Sequence, residues 1–136
     1  MNRRLSVFSC VAFLLSALAV RAGLFDQFEN RASITTLGYD KPASLTNFPV
    51  LVQLGDTAIA GFRYDQFSDP DGGNDLRFSS ADGATELPYE IEKWDPDGTS
   101  LVWVQVPEIA GTDTVVYAYW GYPTSAPDYS AAGGAW

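Results

Sequence analysis

The stretch 75–121 is rich in β-branched and aromatic residues, broken at short intervals by Gly, Pro and Asp. Such runs are typical of strands, and the breaks are typical of turns. We predict three strands joined by two hairpins, with loops at 95–98 and 109–111. Since no helical period and no repeat follows residue 22, the predicted fold class is all-β, an antiparallel β-sandwich of the jelly-roll or immunoglobulin-like kind.

Further strands are predicted at 32–37 and 50–54, before this stretch, and at 76–78, near its start. Three aromatic residues between them follow no strand period and are predicted to fill the core: Phe62, Tyr64 and Phe67. An Asp82-Gly83 pair predicts a turn. Pro88 lacks the N–H of a ladder hydrogen bond, so it predicts a bulge or an edge position before the strand at 89–94.

The N-terminus has the layout of a secretory signal. Arg3 and Arg4 precede an apolar run over 5–20, and small side chains flank a cleavage site before Gly23. The run is shorter than the ~20 apolar residues of a membrane span. We therefore expect no membrane insertion after cleavage and a secreted, periplasmic or cell-surface protein. The predicted parts are a signal peptide at 1–22, a β-sandwich domain at 23–125 and a linker or the start of a following domain at 126–136.

Two residue types limit the chemistry of this chain. It contains no histidine, which excludes a Ser-His-Asp triad, a Cys-His pair and a His-ligated metal. Its one cysteine, Cys10, lies in the predicted signal peptide, so the exported chain would have neither a disulfide nor a thiol nucleophile.

The charge argues against polyanionic partners. Removing Arg3, Arg4 and Arg21 from the 8 Lys and Arg leaves 5 against 17 Asp and Glu, so the formal net charge changes from −9 to −12. Nucleic acids and anionic lipids are bound by basic surfaces. We expect no nucleic-acid partner, and an acidic exported protein that can meet divalent cations.

The predicted hairpins also set a register. A loop at 95–98 pairs Ile91 with Val102, and a loop at 109–111 pairs Val102 with Ala118. Because side chains alternate along a strand, one face collects the predicted core residues Leu87, Tyr89, Ile91, Val102, Val104, Val106, Val116 and Ala118. The opposite face collects Glu90, Glu92, Leu101, Trp103, Gln105, Val115, Tyr117 and Tyr119.

Aromatic rings beside two carboxylates are unusual on a solvent-facing sheet. Three explanations are open: the face packs against another sheet, loop or domain; it binds carbohydrate; or it binds a protein. In the second, aromatic rings stack on a polysaccharide while carboxylates accept hydrogen bonds from its hydroxyls. The predicted ligand-binding residues are Trp103, Tyr117, Tyr119, Glu90 and Glu92.

Glu90 and Glu92 lie two residues apart and so on one strand face. Glycoside hydrolases use paired carboxylates ~5–9 Å apart, so a hydrolase fragment is one alternative. Since this spacing is common in exposed strands, we expect a protein that is not an enzyme.

The loop 69–75 places oxygen ligands at alternate residues around glycines, as calcium loops do. It lacks the bidentate glutamate of an EF-hand at its twelfth position, where Ser80 stands. A plain turn and a calcium site are both open, the latter with Asp69, Asp71 and Asp75 as ligands.

An ordered set of motifs spans the region from about Ile34 to Tyr122. It comprises Asn47-Phe48-Pro49-Val50-Leu51-Val52, Asp75-Leu76-Arg77-Phe78, Asp82-Gly83, Leu87-Pro88-Tyr89-x-Ile91-Glu92-x-Trp94, Val102-Trp103-Val104-x-Val106-Pro107 and Val116-Tyr117-x-Tyr119-Trp120-Gly121. In this order the motifs resemble the bacterial and archaeal domain of unknown function 2341.

The resemblance implies no activity and no catalytic residue. It implies an exported multidomain surface protein, often with a concanavalin A-like, laminin G-like domain directly after this one, and in some cases an association with proton-channel proteins of the ExbB type. Gly133-Gly134-Ala135-Trp136 is similar to the start of such a domain. We expect a non-catalytic module for glycan recognition or surface presentation; the alternative is a spacer or protein-interaction domain that docks a neighbouring domain or a channel complex.

Overall fold

The computed structural model describes residues 23–124, so the predictions for a signal peptide at 1–22 and a linker at 126–136 lie outside the described residues. Two antiparallel three-stranded sheets form, which we call sheet I (order β1-β6-β3) and sheet II (order β2-β5-β4). This confirms the all-β antiparallel sandwich. The strands are β1 (Asn30–Thr35), β2 (Leu45–Leu54), β3 (Arg77–Ser80), β4 (Tyr89–Lys93), β5 (Ser100–Ile109) and β6 (Val115–Trp120), with a 3₁₀ turn at Tyr64–Gln66.

Between residues 23 and 124, no helix has both the length and the apolar character needed to cross a membrane.

The core lies between the two sheets. Its buried residues include Phe78, Val116, Ala118 and Trp120 of sheet I and Val52, Leu54, Val102, Val104 and Val106 of sheet II. Phe62 and Phe67 are buried among them, with ring centroids 5.6 Å apart. Tyr64 packs against this cluster while its hydroxyl donates to the Leu54 carbonyl at 3.0 Å. The prediction that these three aromatic residues fill the core is confirmed.

The first predicted hairpin is confirmed. β4 and β5 pair with Tyr89 opposite Val104 and Ile91 opposite Val102, and the Gly98 N–H closes the loop on the Asp95 carbonyl at 3.1 Å. The ladder shifts register between Ile91 and Lys93. Strict alternation therefore ends before the hairpin loop is reached.

The second predicted hairpin is wrong. After β5 the chain crosses to sheet I, where β6 pairs with β1 and β3. Val116 lies opposite Ile34 and Ser80, not opposite Val104. The predicted core face nevertheless holds, because Val116 points into the same core from the opposing sheet. Alternation shows which residues face the core, but it does not show which sheet they come from.

The connection from β3 to β4 closes one side of the sandwich. The Ser80 N–H donates to the Thr85 carbonyl at 3.0 Å and the Leu87 N–H donates to the Phe78 carbonyl at 2.9 Å. These bonds continue the hydrogen bonding of the β3 edge up to the point where the chain enters sheet II. This edge of sheet I is therefore covered.

The turn predicted at Asp82-Gly83 lies at the tip of this connection, where the Gly83 N–H donates to the Ser80 carbonyl at 3.0 Å. The Asp82 carboxylate accepts hydrogen bonds from the hydroxyls of Ser80 and Thr85 and from the backbone N–H groups of Ala84 and Thr85. Because these bonds favour the ionised carboxylate, the pKa of Asp82 is held well below its ordinary value.

Trp94 holds the loop 69–75 against the sandwich. Its indole N–H donates to the Pro70 carbonyl at 2.8 Å, and its ring contacts the rings of Tyr64 and Phe67 at centroid distances of 5.3 and 5.1 Å. Gly73 has a φ of 65°, and a Cβ atom there would lie 2.6 Å from a carbon of the Trp94 ring. Glycine is therefore needed at this position for two separate reasons.

We expect Gly73→Ala to lower the free energy of unfolding by about 2–4 kcal/mol, since it adds a clash with the indole to the strain of a left-handed backbone. Gly61→Ala is the matched control, because Gly61 has a φ of 80° and nothing within 4 Å of its Cβ position. Its expected cost is about 1 kcal/mol. Equal losses for the two variants in urea denaturation would contradict a rigid contact between Trp94 and the loop.

Candidate functional site

The predicted aromatic face is not one surface. Trp103 lies on β5 in sheet II, whereas Tyr117 and Tyr119 lie on β6 in sheet I. In a sandwich, the outward side chains of one sheet lie on the opposite side of the domain from the outward side chains of the other sheet. These rings therefore cannot stack on one sugar chain. The prediction of a shared face was wrong because it rested on the hairpin between β5 and β6.

Tyr119 is covered by the chain that precedes β1. The Phe25 ring stacks on it with a centroid distance of 4.2 Å and an interplanar angle of 11°, and only 4% of Tyr119 is exposed. Its hydroxyl shares a hydrogen bond of 3.1 Å with Ser79. Tyr117 is half-buried beneath the Arg31 guanidinium, which lies 4.8 Å from the ring centroid. Both tyrosines are therefore engaged within the domain itself.

Trp103 occupies the outer face of sheet II. The ladder places Leu51 on one side of it and Glu90 on the other, in a row across the three strands. Trp103 and Glu90 are half-buried, while Leu51 is 40% exposed. This row keeps one aromatic residue and one carboxylate of the predicted ligand site together.

Glu92 is exposed and lies where the β4–β5 ladder shifts register. The paired face assumed for Glu90 and Glu92 depended on regular alternation, which the shift interrupts. The structure therefore gives no added support to a hydrolase pair at these two residues.

The acidic loop is used for local hydrogen bonds. The Asp69 carboxylate accepts from the Gly72 N–H at 3.2 Å and from the side-chain amide of Asn74. Across residues 23–124, no three acidic side chains are grouped closely enough to hold a metal ion. Asp69, Asp71 and Asp75, the three predicted ligands, therefore do not form such a group.

Asp75 joins the start of β3 to the end of β6. It is fully buried, and its Oδ2 accepts from the backbone N–H groups of Ser68, Gly121 and Tyr122 at 3.1, 2.8 and 3.0 Å. Its Oδ1 is buried without a hydrogen-bond partner among the described residues. A buried carboxylate that accepts three N–H groups is a structural crosslink between segments.

A buried cluster of polar groups adjoins Asp75. The Arg77 guanidinium donates to the carbonyls of Asn74 and Leu76 at 2.9 and 2.6 Å and lies 3.5 Å from the Glu86 carboxylate. The Tyr89 hydroxyl donates to the same Leu76 carbonyl at 2.6 Å, and burial raises the pKa of Tyr89. We infer from these contacts that the Asp75-Leu76-Arg77-Phe78 motif is structural.

The side of the sandwich opposite the β3–β4 connection is open. There a cleft of about 830 Å³, which we call the edge cleft, lies between β1 and β2 and the segment that follows β1. None of the described residues lining it is Asp, Glu, Lys or Arg. Its apolar lining includes Ile34, Leu37, Leu45, Phe48, Val50 and Ile109.

Exposed apolar side chains concentrate at the edge cleft. Within residues 23–124, four large hydrophobic residues are exposed, and three of them line it: Leu37 at 83%, Phe48 at 43% and Leu51 at 40%. The fourth, Leu24, lies elsewhere at 60%. Because scattered exposed leucines are ordinary whereas clustered ones mark binding surfaces, the edge cleft is the best candidate site of the described chain.

Sequence reasoning missed this cleft for an identifiable reason. The sequence predicted a strand only at 50–54, so the ten-residue length of β2 was not foreseen. The predicted pairing of β6 with β5, which is wrong, also left β1 without a defined neighbour in the predicted sheet. Leu37 and Phe48, outside any predicted core, were the signal available in the sequence.

Fold and cleft together define a small all-β sandwich domain with one closed side and one open side. Residues 72–133 match the model of a family described as a domain of unknown function, DUF2341. The resemblance predicted from the motifs is thereby confirmed over the matched stretch, which includes β3 to β6. Searches among curated proteins and among solved structures found no match.

We expect Asp75→Ala to lower the free energy of unfolding by about 3 kcal/mol, because it leaves three backbone N–H groups without their acceptor. Asp69→Ala, in the same loop, should cost about 1 kcal/mol, since a single backbone N–H loses its partner. Chemical denaturation measures both. Calcium should not change the melting temperature of the wild type, and a rise that Asp69→Ala abolishes would restore the loop as a cation site.

Proposed function

We propose that this protein is a non-catalytic module of an exported multidomain protein and that it docks a polypeptide in the edge cleft. One observation carries the proposal, namely that the exposed apolar residues Leu37 and Phe48 lie at a cleft whose described lining contains no Asp, Glu, Lys or Arg. Clustered exposed apolar surface on a small domain favours a macromolecular partner.

The chemistry of the cleft also argues for docking rather than catalysis. Most reaction sites include charged groups that transfer protons or stabilise charge, and none of the described lining residues is Asp, Glu, Lys or Arg. Apolar side chains interspersed with neutral polar groups instead provide contact area and orientation. A neighbouring concanavalin A-like domain, which the family resemblance implies, is one source of the docked polypeptide.

Selection from a displayed library of random peptides of about ten residues tests the proposal, since this is the length of a long strand. We expect the purified protein to enrich peptides whose binding falls about tenfold to hundredfold in Phe48→Ser, because a buried phenylalanine contact contributes about 1.5–3 kcal/mol.

Leu24→Ser is the matched control, because Leu24 is exposed to 60% and does not line the cleft. Its affinity for the enriched peptides should equal that of the wild type. Absence of enrichment, or equal binding by Phe48→Ser, would contradict the proposed function.

A second candidate function rests on the row formed by Leu51, Trp103 and Glu90. Here an indole lies beside a carboxylate on an outer sheet face, and the exposed Glu92 is near in sequence. Such a row supports a small carbohydrate site on sheet II, in which a sugar ring stacks on Trp103 and a hydroxyl donates to Glu90. This site would not include Tyr117 or Tyr119.

Tryptophan fluorescence titrated with soluble polysaccharides tests this second candidate. We expect a saturable change in the wild type that Trp103→Ala abolishes, while circular dichroism shows the variant still folded. Tyr117→Ala is the control on the opposite sheet and should keep the wild-type response. Loss of the response in both variants would contradict a site confined to sheet II, and no response in the wild type would remove the carbohydrate candidate for those polysaccharides.

A further inference from the structure

We propose that the edge cleft takes its polypeptide partner as an extended strand that pairs with the outer edge of β1, which has no neighbouring strand within residues 23–124, and so adds a strand to sheet I. This inference rests on the proposed function and specifies it. The pairing would give sheet I the order partner-β1-β6-β3. Apolar clefts accept many ligands, but only a polypeptide backbone supplies donors and acceptors at the spacing of a sheet edge.

The backbone of β1 offers such an edge. The Thr36 N–H donates to the Thr114 carbonyl at 2.8 Å, which makes this position a hydrogen-bonded pair of the ladder with β6. Because such pairs alternate in an antiparallel ladder, the N–H and C=O groups of Ser33 and Thr35 point away from β6. Both residues line the edge cleft. The open edge of β1 therefore presents donors and acceptors in sequence.

The edge of β2 across the cleft is less suited to pairing. The Gln105 N–H donates to the Pro88 carbonyl at 2.9 Å, so Gln105 directs its backbone toward β4. Its ladder partner Pro49 must then face the open edge, as must Leu51 and Gln53. Proline has no N–H to donate, so the series of donors on β2 is interrupted whereas that on β1 is not.

The same geometry predicts the side-chain pattern of the partner. A strand beside β1 places alternate side chains toward the space between the sheets, where Phe48, Val50 and Ile109 line the cleft. The intervening side chains extend the outer face of sheet I, next to the neutral polar side chains of Ser33 and Thr35. The partner segment should therefore be apolar at every second residue and uncharged on that apolar side.

Blocked synthetic copies of the selected peptides, N-methylated at one residue at a time, test the pairing. N-methylation removes a donor and obstructs a ladder, so we expect affinity to fall about tenfold or more at alternate residues and to change little between them. Uniform tolerance of N-methylation along the peptide would overturn strand pairing.

Two proline variants identify the edge. Thr35→Pro removes an N–H that faces the open side of β1, and Gln53→Pro is the matched control that removes one facing the open side of β2. Proline is tolerated at such outward edge positions, and Ser33→Pro is the substitute if Thr35→Pro fails to fold by circular dichroism. We expect binding to fall about tenfold or more in Thr35→Pro and to remain in Gln53→Pro.

Other results of the peptide selection and of the proline variants would contradict the proposal in part or in full. If Gln53→Pro abolishes binding and Thr35→Pro does not, the strand pairs with β2 and the proposal for β1 is wrong. If neither proline matters but Phe48→Ser still weakens binding, strand pairing is wrong and the docking function stands. If no peptide is enriched at all, both the docking function and the strand inference fail.

Discussion

The Asp75 carboxylate is the interaction on which the arrangement of sheet I depends. It joins the turn before β3 to the backbone just after β6, which is the central strand of that sheet. Gly121, one of its donors, has a φ of 81° and leaves no room for a Cβ atom beside Asn30. Since a buried N–H without an acceptor is costly, the end of β6 can lie here only while the carboxylate is present. Asp75 thereby helps to hold β6 in sheet I, away from β5.

This constraint explains how much of the fold could be predicted. Local signals were sufficient for the β4–β5 hairpin, because a four-residue turn fixes the register of the strands it joins. They were insufficient for β6, since a short loop such as 110–114 can lead either to the adjacent strand or to the opposite sheet. Inward residues such as Val116 have the same pattern in both cases. The pairing of β6 with β1 and β3 and the long-range bonds of Asp75 distinguish the two, and none of these can be read from residues 109–116.

The candidate site could be predicted less well than the core. Trp94, Tyr119 and Trp120 are conspicuous in the sequence, yet all three serve packing: Trp94 holds the loop 69–75, Tyr119 is covered by Phe25, and Trp120 is buried against Phe62. Large aromatic residues are most often buried, so aromatic content alone is a poor guide to binding. The edge cleft exists instead because neither β1 nor β2 has an outer neighbour among the described residues.

An open sheet edge is a hazard for a β-sandwich unless something prevents copies of the chain from pairing. The two edges of the cleft differ in this respect, because Pro49 interrupts the donors of β2 while β1 has no such residue. Net charge supplies a second barrier, since a chain with 17 acidic and 8 basic side chains repels its own copies. That repulsion acts between whole molecules and does little against a neutral segment entering a cleft lined without charged residues. The charge distribution thus disfavours self-association while leaving β1 accessible to an uncharged strand. These two properties together are expected of a sheet edge that docks a partner.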